Sequence, residues 1–364
     1  CVSNVTISNE RFGTYEWQIQ DGSGTCLVNH DSYRALYRYI PRTGAALTSV
    51  CGVVWQFSAT YKIQVRDDDD FAGRPVKEYA LRGLVMSPDG PRTNWYVHVW
   101  DDDIMAVTAA PPAGVLVVET DGIIFPGLID AHNHISWNSF PTLMFNNFPY
   151  GNRDQWGESD PEYDAWKSKR SQVTGHARVL ENQKKTISKF GEILELMAGC
   201  VTIQGESAPA NLEINHPVMM LYNIEQFPSR IYANIFPWRM TAATAAALKN
   251  RIEGGAINSA LIHLCEGPDA TSLAQFYTWK NFGLLTNSTA IIHGTALGSN
   301  ELAQLAAVGG KLVWSPMSNM KLYEATANAA LAHQLGVIVG LSPDWTPSGG
   351  ANMLEELGYA WYLN

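Results

Sequence analysis

The chain has 364 residues, of which 46% are hydrophobic and 16% charged, and its formal net charge is -10 at pH 7. This length suits one large domain with a smaller one, and the composition excludes a disordered chain. The acidic balance argues against a nucleic-acid surface built from basic patches. No apolar run approaches the roughly 18 to 20 residues of a membrane span. The sequence therefore predicts a globular protein that binds no nucleic acid and has no membrane span.

The cysteines give the first indication of where the protein resides. Three of the five cysteines, Cys1, Cys26 and Cys51, fall near the start of the sequence. This placement favours an extracytoplasmic location, in the periplasm or at the cell surface, with the cytoplasm as the alternative. Cys26 and Cys51 are candidates for a disulfide. A sequence that begins at cysteine is typical of mature bacterial lipoproteins, so a lipid anchor at Cys1 is one interpretation and a fragment boundary is the other.

The first part of the chain is β-rich and carries no pattern to which a chemistry can be assigned. Residues 1–78 contain short strand-like runs such as Val53–Phe57 and Tyr61–Val65, and we treat them as an N-terminal extension. The acidic run Asp67–Asp70 lacks the spacing of a calcium loop, which favours a solvated turn. Residues 79–122 alternate apolar and polar side chains around turn signals, which predicts a small antiparallel sheet.

From residue 123 onward, short apolar runs alternate with helical patterns, which is typical of βα units around a parallel sheet. The predicted strands are Ile123–Ile129, Cys200–Gln204, Val218–Tyr222, Ile231–Ile235, Ser259–Leu264, Thr289–Ile292, Lys311–Trp314 and Val337–Leu341. The predicted helices are Lys185–Met197, Thr241–Ile252, Ser272–Asn281, Asn300–Val308, Ala325–Leu335 and Met353–Tyr362. We therefore predict an α/β fold with a (β/α)8 barrel, whose chemistry lies at the carboxyl ends of the strands.

Histidines and one aspartate stand where several of these strands end. His132 and His134 close the first strand, and because residues i and i+2 of a strand share a face, both imidazoles can turn to one metal ion. His263, His293 and Asp344 stand at the ends of the fifth, sixth and eighth strands. The carboxyl ends of barrel strands gather around one axis. The pattern therefore predicts a metal site there.

These motifs resemble those of the amidohydrolase superfamily, which are metal-dependent hydrolases built on a distorted (β/α)8 barrel with a small β-sandwich. The resemblance runs from Tyr79 to the end of the chain. The pair His263 and Glu266, together with Ser315–Asn319, is similar to the branch of cytosine deaminase, guanine deaminase and s-triazine chlorohydrolase. The resemblance implies that residues 79–122 are part of the sandwich and that residues 123–364 form the barrel.

The resemblance also raises an expectation about assembly. Relatives continue into further strands that return to the sandwich, whereas this sequence stops at Asn364. We therefore expect the C-terminal sandwich strands to be absent, with a homo-oligomer or a second chain completing the sheet.

The resemblance implies one divalent metal ion, Zn²⁺ or alternatively Fe²⁺, and a small-molecule substrate. The ion would be held by the set His132, His134, His263 and Asp344. The fourth strand has no lysine or glutamate at the position that bridges two metals in binuclear relatives, and Glu206 is a weak candidate for an extra ligand.

The same resemblance gives the acidic and histidine side chains their roles around a metal-activated water. Glu266 would pass a proton to the leaving nitrogen, and Asp344 would take the proton of the attacking water. His293 would hydrogen-bond that water or the developing oxyanion.

Aromatic side chains surround the predicted site. The long segment Ile135–Gly175 is dense in aromatic residues, and further aromatics follow later strands. We expect a flat or apolar substrate to contact Trp137, Trp238, Trp314, Trp345 and Asn319. Simple packing of the segment onto the barrel is the alternative. Arg239 and Lys321 are either anchors for a carboxylate or phosphate, or surface charges.

The leading hypothesis is hydrolysis of a C–N bond, by deamination or by opening of a cyclic amide or amidine. The same site could instead cleave an ester, a peptide-like amide or a C–Cl bond, because the scaffold does not determine the leaving group. A third hypothesis is a surface binding or assembly protein on an inherited barrel. Glu266 and Asp344 beside the histidines favour catalysis, because a structural metal site needs no proton shuttle.

Overall fold

The computed structural model describes residues 1–13, 16–29, 41–57, 60–66, 70–73, 78–101, 103–143, 145, 148–158, 160–175, 187, 189–205, 221–224 and 230–363. The chain forms two compact units, Cys1–Pro126 and Gly127–Asn364. The finer division at residues 78 and 122 stays a prediction.

The first unit begins with a seven-stranded sheet in the order β5-β6-β3-β2-β1-β4-β7. Its strands are β1 Val2–Gly13, β2 Glu16–Gln20, β3 Thr25–Asn29, β4 Ala46–Val50, β5 Val53–Phe57, β6 Thr60–Gln64 and β7 Phe71–Ala72. Alternate residues of β1 and β2, among them Ile7, Trp17 and Ile19, are buried in one apolar cluster. The cluster follows from the two-residue period of a strand, which places these side chains on one face.

A second sheet of the first unit has the order β10-β9-β8-β11, with β8 Glu78–Ser87, β9 Gly90–Trp100, β10 Asp103–Thr108 and β11 Leu116–Ile124. The predicted antiparallel pairing holds for the first three strands, but β11 runs parallel to β8. Within the described residues these strands form a single sheet. The sandwich, and an oligomer or second chain that completes it, stay predictions.

One disulfide joins the ends of two neighbouring strands in the first sheet. Val2 of β1 is opposite Val50 of β4, and this register brings Cys1 and Cys51 together in a disulfide. The predicted pairing of Cys26 with Cys51 is therefore wrong, and Cys26 is a half-buried free thiol in β3. The lipid anchor at Cys1, one of the two interpretations of this terminus, stays a prediction.

The described residues of the second unit include eight strands that follow one another in the chain order of a barrel, with parallel pairing within each sheet. They are β12 Leu128–Asn133, β13 Cys200–Gly205, β14 Tyr222–Asn223, β15 Ile231–Asn234, β16 Ser259–Leu264, β17 Thr289–His293, β18 Lys311–Trp314 and β19 Ile338–Leu341. They pair as two sheets, β12 to β14 and β15 to β19. A parallel bridge between Asn133 and Asp344 connects the first strand to the chain after the eighth. In the described part of the chain β14 and β15 do not pair, so the predicted barrel is seen in part.

The first barrel strand begins later than predicted. Residues 123–129 were expected to form it, but β11 ends at Ile124 and β12 starts at Leu128. Pro126 cannot donate a hydrogen bond to a ladder. A Cβ atom added at Gly127 would lie 2.4 Å from the Val201 side chain, so a larger residue at this position would collide with Val201. The predicted third strand begins outside the described residues.

Helices follow most of these strands: α1 Arg153–Gly157, α2 Pro161–Gly175, α3 residues 189–197, α4 Ala242–Glu253, α5 Ala270–Asn281, α6 Ser299–Ala307, α7 Pro316–Tyr323, α8 Ala329–Gln334 and α9 Met353–Leu363. The side chains of Thr241 and Asp269 cap α4 and α5 by accepting backbone N–H bonds. Helices α1, α2 and α7 were not predicted. No described helix has the length and apolar character needed to cross a bilayer.

Candidate metal centre

Four histidine rings meet at the carboxyl ends of β12, β16 and β17. The ring centroid of His132 lies 4.8 Å from that of His134 and 4.6 Å from that of His263. The ring of His293 lies 5.2 Å from that of His263. The parallel strands bring together residues that are more than a hundred positions apart, as the strand-end pattern predicts.

Asp344 lies against two of these rings. Its Oδ1 is 3.3 Å from His132 Nε2 and 3.6 Å from His134 Nε2. Ser318 Oγ donates a hydrogen bond of 2.6 Å to the other carboxylate oxygen. Burial raises the pKa of this carboxyl, but the contact with His132 and the electrostatic interaction with His293, His132 and His134 outweigh it, so the net pKa lies below its ordinary value. Asp344 is therefore ionised at neutral pH.

The cluster has the donors that a transition metal requires. The nitrogen donors of His132, His134 and His263 lie within 4.8 Å of one another, as do the donors of His132, His293 and Asp344. Nδ1 of His263 is buried and has no hydrogen-bond partner in the described part of the chain.

Two histidines of the cluster, His134 and His263, are in the protonation state that a metal needs. Burial and the neighbouring rings lower the pKa of His134 to about 3 and hold the pKa of His263 well below its ordinary value. Neutral imidazoles with one carboxylate fit Zn²⁺ or Fe²⁺.

Two amide side chains orient the rings. His132 Nδ1 lies 2.8 Å from Gln204 Oε1, and His293 Nδ1 lies 3.0 Å from Asn319 Oδ1. Because an amide oxygen only accepts, each Nδ1 carries the proton and each Nε2 keeps its lone pair. Asn319 thus contacts a histidine and is not part of the cavity lining, and its contact with substrate stays a prediction. Gln204 was missed as a site residue, although its position at the end of the second predicted strand was the available signal.

Glu266 lies next to the cluster, after a turn at Cys265, whose φ is +58°. Tyr323 Oη donates a 2.9 Å hydrogen bond to Glu266 Oε1, and Arg153 Nε lies 3.1 Å from Oε2. The same Oε2 is 3.8 Å from His293 Nε2. The carboxylate is buried and both of its oxygens have a positioned neighbour, so its orientation is set by other side chains.

The cluster opens into a cavity of about 510 Å³ with aromatic walls. Besides the histidines, Glu266 and Asp344, the lining includes Trp137, Arg153, Trp156, Tyr163, Phe236 and Trp345. Ring faces of this kind suit a flat, apolar ligand. Trp137 and Trp345 lie where substrate contacts were predicted, whereas Arg153 and Tyr163 had not been singled out. Both come from α1 and α2, which no sequence signal distinguished.

Two of the predicted tryptophans lie outside this lining. Trp314 Nε1 donates a 2.7 Å hydrogen bond to Thr326, and the ring is buried in the apolar cluster beneath the helices. Its neighbour Val313 belongs to a second cluster with Leu261 and Ile292, because successive side chains of a strand face opposite ways. Trp238 likewise packs against the first cluster. Neither Trp238 nor Trp314 lines the cavity, and their substrate contacts stay predictions.

The remaining candidates have other partners or fall outside the described residues. Arg239 pairs with Asp154 at 2.8 Å and with Glu158, and Lys321 Nζ donates to the Pro347 carbonyl at 3.0 Å. Neither side chain lines the cavity. Glu206, the weak candidate for an extra ligand, lies outside the described residues.

Comparison with known sequences gives partial matches. No family model matches the chain. A stretch of 82 residues, 22% of the chain, is 37% identical to a 5-methylthioadenosine/S-adenosylhomocysteine deaminase of Bacillus thuringiensis. A stretch of 104 residues is 33% identical to such a deaminase of Teredinibacter turnerae and covers 26% of the chain. The matched stretches span 19% and 24% of the length of these curated relatives.

Solved structures match over a larger share of the chain. Guanine deaminase from C. acetobutylicum superposes with a TM-score of 0.57 at 17% identity, over 78% of each chain. An adenosine deaminase from Xanthomonas campestris gives 0.55 at 16% identity, over 79% of this chain and 73% of its own. Triazine hydrolase from Arthobacter aurescens gives 0.55 at 12% identity, over 76% and 74%.

The chain shares its fold with this guanine deaminase, adenosine deaminase and triazine hydrolase, which agrees with the resemblance predicted from the sequence. In sequence, part of the chain is similar to 5-methylthioadenosine/S-adenosylhomocysteine deaminases.

Proposed function

We propose that this chain is a metal-dependent hydrolase that removes an amino group from a flat, nitrogen-containing ring. The observation that carries the proposal is the position of Glu266, a buried carboxylate beside a cluster of metal-binding side chains in an aromatic cavity. A structural metal site needs no such carboxylate, so the arrangement favours catalysis over a purely structural or binding role.

The metal in this proposal is a single Zn²⁺ held by His132, His134, His263 and Asp344. Their donor types fit zinc, and related structures were determined with bound zinc. Such an ion would lower the pKa of a water molecule to about 7 and so supply a nucleophile at neutral pH.

Asp344 and Glu266 carry out the proton transfers of the reaction. Asp344 is ionised and accepts the proton of the attacking water. Glu266, the carboxylate paired with Arg153, takes up the second proton of that water and passes it to the departing nitrogen, which leaves as ammonia, and Asp344 returns its proton to the product ring. His293, whose Nε2 keeps its lone pair and lies 3.8 Å from Glu266 Oε2, accepts a hydrogen bond from the attacking water.

The substrate proposed for the cavity is an aminated heterocycle. Its aromatic walls suit a planar ring, and the names of the relatives point to adenine-type nucleosides, guanine and s-triazines as probes. Esters and peptide-like amides on the same site are the alternative substrates.

The proposal is tested by metal analysis and a substrate panel on wild type and Glu266→Gln. We expect about one zinc per chain in both proteins, and ammonia release from at least one aminated ring by wild type alone. Glu266→Gln keeps the size of the side chain and loses the proton-transfer group, so it serves as the matched control. The idea fails if metal-loaded wild type releases no ammonia from any member of the panel.

We infer in addition that the protein resides in an oxidising compartment, outside the cytoplasm. The disulfide between Cys1 and Cys51 supports this location, since such bonds persist mainly in oxidising surroundings. Mass spectrometry of unreduced protein from its native source tests it: reduced thiols at both positions would contradict the proposal.

A further inference from the structure

Helix α1 reaches Glu266 by two routes. Directly, Arg153 Nε lies 3.1 Å from Glu266 Oε2. Indirectly, Trp156 Nε1 donates a 2.8 Å hydrogen bond to Tyr323 Oη, which itself donates to Glu266 Oε1 at 2.9 Å. The two routes end on different oxygens of one carboxylate. Glu266 is thus held by α1 and α7, two helices that carry no ligand of the metal cluster.

The start of α1 is attached to the loop that follows Glu266. Asn152 Nδ2 donates a 2.6 Å hydrogen bond to Asp269 Oδ2, and the Gly151 carbonyl accepts from the Asp269 backbone N–H. Gly267 has a φ of +119°, and a Cβ atom there would lie 2.5 Å from the Gly151 carbonyl oxygen. The backbone of α1 and the loop after β16 therefore approach as closely as glycine permits, which keeps Arg153 within reach of Glu266.

The surroundings of Arg153 restrict its guanidinium group. Its Cζ lies 4.4 Å from the ring centroid of Phe236 and 5.1 Å from that of Trp156, and the side chain is 14% exposed. Aromatic faces attract a guanidinium and exclude water around it. In such surroundings an ion pair is stronger and more directional than at the surface.

We propose that Arg153 and Tyr323 are positioning residues that hold the Glu266 carboxylate toward the reacting atoms. The inference rests on the proposed function, in which Glu266 transfers the proton to the leaving nitrogen. A free carboxylate can rotate about its side-chain bonds, whereas one that accepts a hydrogen bond at Oε1 and forms an ion pair at Oε2 presents the same edge to each substrate. Misplacement of a reacting group by about 1 Å costs about a hundredfold in rate.

The test compares Arg153→Met, Arg153→Ala, Arg153→Lys and Tyr323→Phe with wild type, all at full metal content. We expect Arg153→Met to lower kcat about a hundredfold with KM changed less than threefold, and Tyr323→Phe to lower kcat about tenfold. Arg153→Lys keeps the charge and recovers part of the loss. Added guanidinium ions partly restore Arg153→Ala, whereas equal concentrations of sodium do not. A merely structural role would give neither form of rescue.

Arg239→Met is the matched control. Arg239 also pairs with α1, through Asp154 and Glu158, but it lies outside the cavity lining and does not contact Glu266. We expect its kcat to stay within twofold of wild type. An equal loss of kcat in Arg239→Met and Arg153→Met would mean that α1 affects activity only through its packing, and the positioning role would be overturned.

Crystal structures of metal-loaded wild type and Arg153→Met separate this inference from the proposed function. We expect the Glu266 carboxylate to leave its position in the variant. If wild type is inert toward the whole panel while the carboxylate still moves, the proposed function fails and the positioning role stands. If wild type is active and Arg153→Met keeps kcat within twofold, or if Glu266 does not move, the positioning role is wrong.

Discussion

Three residues at the ends of barrel strands have a left-handed backbone conformation that is unfavourable for side chains other than glycine. The φ angles are +58° at Cys265, +70° at His293 and +66° at Asp344. Such a conformation costs about 1 to 3 kcal/mol per residue and persists where the surroundings require it. Here it turns the chain at the ends of β16, β17 and β19, so that His293, Glu266 and Asp344 face one cavity.

At the same scale, the two orienting amides allow the roles of the histidines to be distinguished. Gln204→Leu removes the acceptor for His132 Nδ1, and we expect zinc affinity to fall by about 10- to 100-fold. Asn319→Leu removes the acceptor for His293 Nδ1, and we expect kcat to fall while zinc affinity changes less than threefold.

Zinc titration against a competing chelator, followed by assays at full metal occupancy, measures both effects. Loss of zinc from Asn319→Leu to the same degree as from Gln204→Leu would make His293 a ligand and would contradict the assignment.

At the scale of elements, two buried carboxyls attach the last helix to the barrel. Glu356 of α9 accepts hydrogen bonds from the backbone N–H groups of Met317 and Gly350. Glu195 of α3 accepts from Met353 N–H at the start of α9. Burial raises the pKa of Glu356 to about 8 and that of Glu195 to about 7. Both carboxyls are therefore linked to the stability of this packing.

The raised pKa values predict a pH dependence of unfolding. Between pH 4.5 and about 8, Glu356 is protonated when folded and ionised when unfolded, so its contribution to stability is complete at low pH and is lost as pH rises through 8. One such group changes the free energy of unfolding by at most about 1.4 kcal/mol per pH unit.

We expect Glu356→Gln to remove this slope. Denaturant unfolding of wild type and variant, with chelator present and at several pH values, gives the difference between their free energies of unfolding. The comparison cancels the opposite contribution of the buried histidines, whose lowered pKa values make stability rise with pH up to about 6.5. Parallel stability curves for the two proteins would contradict the assignment.

At the scale of the whole molecule, the two compact units are stabilised by different means. The described part of Cys1–Pro126 has a disulfide across β1 and β4, whereas the cysteines of Gly127–Asn364 are free and buried. A crosslink that closes a loop of 50 residues restricts the unfolded chain and stabilises by about 4 kcal/mol in the chain-entropy model.

Reduction of the disulfide should therefore lower the stability of the unit Cys1–Pro126 and leave that of Gly127–Asn364 unchanged. We expect hydrogen exchange to show a fall in opening free energy of up to about 4 kcal/mol in β1 to β4, and no change in β16 to β18. Cys51→Ser should reproduce the effect, and Cys26→Ser, which removes a free thiol, is the control. Protection that is unchanged by reduction in β1 to β4 would contradict the stabilising role of the bond.

The sequence by itself determined the features that depend on short spacing. The alternation of apolar runs and helical patterns indicated the βα units of the second unit. The His132 and His134 spacing on one strand face, with His263, His293 and Asp344 at later strand ends, indicated the cluster of metal-binding side chains. These features follow from the periods of strand and helix, which act between neighbouring residues.

Only the tertiary structure decided which distant residues meet. The register of β1 against β4 selected Cys1 over Cys26 as the partner of Cys51. The path of a long segment brought Arg153 beside Glu266. These contacts depend on register and on loop paths, and no local periodicity carries that information. The pairing of residues that lie far apart along the chain therefore could not be predicted from the sequence.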